Sequence, residues 1–62
     1  MKSFTEIFEA AYKGNIGFEE MIKFYQVASE REIRELEDLI DDDKVNQAWD
    51  LVEKVTGMKL KR

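Results

Sequence analysis

The chain has no cysteine, no histidine and no proline, and only three of its 62 residues are glycine. Without cysteine no disulfide braces the fold, and without histidine the common zinc sites are excluded as well. The same two absences remove the Ser–His and Cys–His pairs of nucleophilic catalysis. No apolar run approaches the ~20 residues of a membrane-spanning helix. The N-terminus has one early lysine but no continuous apolar stretch, so it is not expected to act as a secretory signal. Missing cysteine also fits a reducing compartment, and a cytoplasm is the expected location.

What is present is a chain long enough for one domain, 1–62, and no more. A core of this size rarely supplies more than ~3–5 kcal/mol. With disulfide and zinc excluded, regular helix packing or a second subunit must supply the stability.

Apolar residues recur at helical spacing in four stretches. Ser3 with Glu6 has the form of a capping box, and Phe4, Ile7, Phe8, Ala11 and Tyr12 follow as a stripe. Gly14 suits the C-terminal cap of that helix, and Asn15 or Gly17 opens the next. The second stripe is Phe18, Met21, Ile22, Tyr25 and Ala28. Ser29 with Glu32 repeats the capping box before Ile33, Leu36, Leu39 and Ile40. Asp43 can cap a fourth helix carrying Val45, Ala48, Trp49, Val52 and Val55, closed by Gly57. The expected fold is therefore all-α: a compact bundle of three to four short helices at about 4–12, 18–28, 30–41 and 44–56. Trp49 lies mid-stripe and is expected in the core.

Two stripes are wider than one packing contact needs. Phe24 widens the second, with Val27 nearly opposite that stripe, and Leu51 widens the fourth. Either the second helix is packed on two sides, or Phe24, Val27 and Leu51 form a surface for self-association or for a protein partner. The Phe4–Phe8 stripe joins that surface if the first helix docks loosely.

The net charge of −4 is unevenly spread. Residues 1–17 are balanced, residues 18–43 hold ten acids against Lys23, Arg31 and Arg34, and residues 44–62 hold five bases against Asp50 and Glu53. So acidic a middle repels nucleic acid. The basic C-terminal residues Lys54, Lys59, Lys61 and Arg62 are more simply cations near a helix C-terminus. Asp41-Asp42-Asp43 fails as a calcium loop, because Val45 and Asn46 stand where a third ligand and a glycine belong. Gly14-Asn15-Ile16-Gly17 between two helices invites a phosphate-binding reading. Glu19 and Glu20 at the next helix start oppose it. No catalytic residue, metal, cofactor or small-molecule substrate is expected, and the chain is read as non-enzymatic.

Met1-Lys2-Ser3-Phe4-Thr5-Glu6-Ile7-Phe8-Glu9-Ala10 resembles the leader of internal head proteins in T4-like tailed phages. Those leaders direct a protein into the assembling prohead, where the maturation protease cuts after Glu in an [IL]-x-E-[AG] site. The resemblance implies a cleavable leader, 1–9, with the cut between Glu9 and Ala10. Lys13-Gly14-Asn15-Ile16-Gly17, Lys23-Phe24-Tyr25 and Val55-Thr56-Gly57 are similar to segments of short uncharacterised proteins of such phages. Internal proteins of that kind tend to be basic, whereas residues 18–43 are acidic, which is more like a prohead core or scaffold protein. The resemblance thus implies a scaffold or head-associated role, in the host cytoplasm, the prohead or the virion. The alternative is a host-directed inhibitor or regulator that binds a host protein through the acidic face of the second and third helices.

Overall fold

Four helices follow one another in the computed structural model, which describes residues 3–60: α1 Phe4–Gly14, α2 Phe18–Val27, α3 Glu30–Asp41 and α4 Val45–Thr56. No strand occurs among the described residues. The fold is all-α, as the spacing predicts. Met1 and Lys2 of the leader and Lys61 and Arg62 of the basic cluster lie outside the described residues. α4 packs against each of the other three helices, and α1 does the same.

The turns follow from local chemistry. Asn15 takes the left-handed conformation (φ 54°) just after α1. Its N–H donates to Tyr12 O (3.2 Å), and the Ile16 N–H donates to Ala11 O (2.9 Å). This pair of bonds is a Schellman motif, so Gly14 is the last helical residue and Asn15, not Gly14, makes the left-handed turn. Ile16 then serves twice. It packs in the core beside Ala11 at the end of α1, and it precedes the N-cap Gly17 with Met21 four residues into α2. That second placement is a hydrophobic staple.

Ser29 forms a complete capping box: its Oγ accepts from the Glu32 N–H (3.2 Å), and its own N–H donates to Glu32 Oε1 (2.8 Å). Ser3 makes only half of one, accepting from the Glu6 N–H at 3.3 Å. The Ser29→Ala variant should therefore lose ~1 kcal/mol, read from the urea midpoint.

Asp43 does not cap α4. It sits at φ 60° and ends α3, with its N–H on Ile40 O (3.0 Å) and the Lys44 N–H on Leu39 O (2.8 Å). Lys44 is the N-cap of α4 and provides no side-chain hydrogen bond. The three-residue spacing between helices is used up by this second Schellman turn. A left-handed aspartate beside a helix C-terminus is doubly unfavourable, in backbone strain and in charge against the helix dipole. Asp43→Gly is expected to raise stability by about 1 kcal/mol, seen as a higher urea midpoint with an unchanged m-value.

The core contains Ile7, Ala11, Ile16, Met21, Phe24, Leu36, Ile40, Ala48, Trp49 and Val52. Trp49 is buried, as its mid-stripe position predicts. Its Nε1–H donates to the Gly14 carbonyl at 2.7 Å. Gly14 is crowded: a Cβ there would lie 3.1 Å from Ile16 Cδ1 and 3.3 Å from Ile40 Cδ1. The glycine thus lets Ile40 of α3 approach α1 closely, and its carbonyl accepts from the indole of α4. After Gly57 (φ 73°), the Leu60 N–H donates to Glu53 Oε2 (2.9 Å), and Leu60 packs on the core while Met58 stays exposed.

Candidate interaction surface

α1 carries its aromatic side chains outward. Phe4, Phe8 and Tyr12 recur every four residues and are 71%, 58% and 81% exposed. The bundle covers the opposite flank of the same stripe, where Ile7, Ala11 and Gly14 are buried. The five-residue stripe spans about 140° of the helix at ~100° per residue, more than the neighbouring helices cover. Small residues at 11 and 14 bring the backbone in close and leave the larger rings outside.

Phe18, the first residue of α2, completes the patch at 37% exposure. Its ring lies 6.3 Å from Phe4 and 5.7 Å from Phe8 between centroids, tilted to the first and edge-on to the second. These are favourable aromatic geometries. A shallow groove of about 360 Å³ runs between Phe8, Tyr12, Asn15, Gly17 and Phe18, with Ala11 and Ile16 at its floor. Phe8, Tyr12 and Phe18 line the groove and Phe4 stands beside it against Phe18, an apolar surface suited to contact with a protein.

The surface expected from Phe24, Val27 and Leu51 is not assembled. Phe24 has no exposed area and belongs to the core, which corrects its assignment as a contact residue. The physical reason is that α2 packs on both α1 and α4, so its buried face is wide. Leu51 is half-buried against the core. Val27 alone is substantially exposed, near the C-terminal end of α2.

A second depression, about 280 Å³, lies on the other flank of α1, bounded by Glu6, Glu9, Lys13, Glu37 and Asp41. Beside Glu37, the Tyr25 hydroxyl donates to Glu37 Oε2 at 3.2 Å. Among the described residues no three carboxylates are placed to hold one metal ion. Burial first, then the negative charge and hydrogen bond of Glu37, push the Tyr25 phenol well above its ordinary value. The folded state therefore disfavours the phenolate. This contribution to stability is intact below pH ~10 and is lost as pH rises above it toward the raised folded value. Alkaline unfolding should be less steep in Tyr25→Phe than in the parent above pH ~10, followed by circular dichroism.

The Glu9–Ala10 bond lies inside α1, with Glu9 exposed and Ala10 half-buried. Cutting it requires local opening of the helix. It would also detach the core residue Ile7 and the Ser3 cap. Compared with known proteins, the chain matches no family model, no curated sequence and no solved structure.

Proposed function

We propose that the chain is a non-enzymatic interaction protein that presents the Phe4, Phe8, Tyr12 and Phe18 face to a protein partner. The observation that carries this reading is the exposure of four adjacent rings on a chain whose core is otherwise closed over Phe24, Met21, Leu36 and Val52. Contiguous apolar patches on small proteins mark contact sites, and aromatic residues are frequent anchors within them. Composition supports a role without chemistry, since neither histidine nor cysteine is present.

Phe4 and Phe8 of this face lie in the leader-like segment, and Tyr12 and Phe18 lie beyond it, so the face is complete only in the uncut chain. The leader-like segment favours a phage protein acting, uncut, at the assembling prohead, with a scaffold or core component as partner. Immobilised chain should retain such a component from prohead extracts. Phe8→Glu should weaken retention at least tenfold while leaving helical content unchanged. Equal retention by Phe8→Glu and parent, or no retention by either, would remove the reading.

A second reading rests on α3, whose outer face exposes Glu30, Glu35, Asp38 and Asp41 against Arg31 and Arg34. Such a face suits a host protein with a basic surface. Capture of a host protein at moderate salt, abolished by Glu35→Lys with Asp38→Lys, is its expected result. Capture indifferent to those changes contradicts it.

A further inference from the structure

We draw no further inference here: the strongest candidate, the exposed aromatic face that Phe4, Phe8 and Tyr12 of α1 form with Phe18 of α2, is the contact surface already proposed, and nothing in the structure shows which molecule covers it.

Discussion

Phe24→Ala is expected to leave most of the chain unfolded at 25 °C. Phe24 has no exposed area and lies among the four largest fully buried side chains, with Met21, Leu36 and Val52. Its ring sits edge-on to Tyr25, with centroids 5.8 Å apart. Truncating a buried phenylalanine to alanine costs ~3–5 kcal/mol, the lost transfer energy plus the cavity left behind. A core of this size supplies ~3–5 kcal/mol in total. The loss is therefore comparable to the whole stability. Circular dichroism in increasing urea should show little or no folded baseline for the variant. Val27→Ser, three residues on and 48% exposed, should shift the midpoint only slightly. A Phe24→Ala chain with a near-parental midpoint would mean that the α2 interior is wrongly placed.

Trp49→Ala is expected to be comparably severe. The indole of α4 is buried in the core, and its Nε1–H donates to the Gly14 carbonyl of α1 at 2.7 Å. Truncation to alanine removes the ring at ~3–5 kcal/mol and also strips the carbonyl of this donor. Trp49→Phe separates the two contributions, because it keeps most of the apolar volume and loses the hydrogen bond. Leaving a buried acceptor unmatched costs ~1–3 kcal/mol. The phenylalanine variant should thus remain folded with a clearly lowered urea midpoint, while the alanine variant should not. Equal midpoints for Trp49→Phe and parent would show that the indole–carbonyl bond contributes nothing net.

The reading of helices from spacing worked where a local signal decides the outcome. Ser29 with Glu32 closes a true capping box, and Gly57 ends α4 at positive φ. It failed where two local signals compete. Asp43 suits an N-cap by residue type, but the chain reverses so soon after Ile40 that Asp43 is consumed in ending α3. Ile16 went unassigned because it lies between helices. The signal was nonetheless present, in an apolar residue just before an N-cap glycine with Met21 four residues into the helix.

The contact surface was half legible, for a physical reason. A stripe on a helix says which residues are apolar, not which flank of the stripe a neighbour covers. Phe24 and Phe8 look alike by that measure. α2 has neighbours on two sides, so Phe24 is enclosed; α1 is covered only along Ile7, Ala11 and Gly14, so Phe8 is left outside. The sequence singled out the Phe4–Phe8 stripe as a contact surface if α1 docked loosely. In the structure α1 is firmly docked, and the rings are exposed because they lie on its outer side.

The most direct measurement is a nitrogen–proton correlation spectrum of the labelled chain, recorded with and without a prohead scaffold or core component. If the working surface is the outer face of α1 with Phe18, the resonances that move on addition should belong to residues 4–18. Those of Phe24, Leu36 and Val52 should hold still. Shifts centred on the acidic outer face of α3, or a spectrum unchanged by the addition, would contradict it.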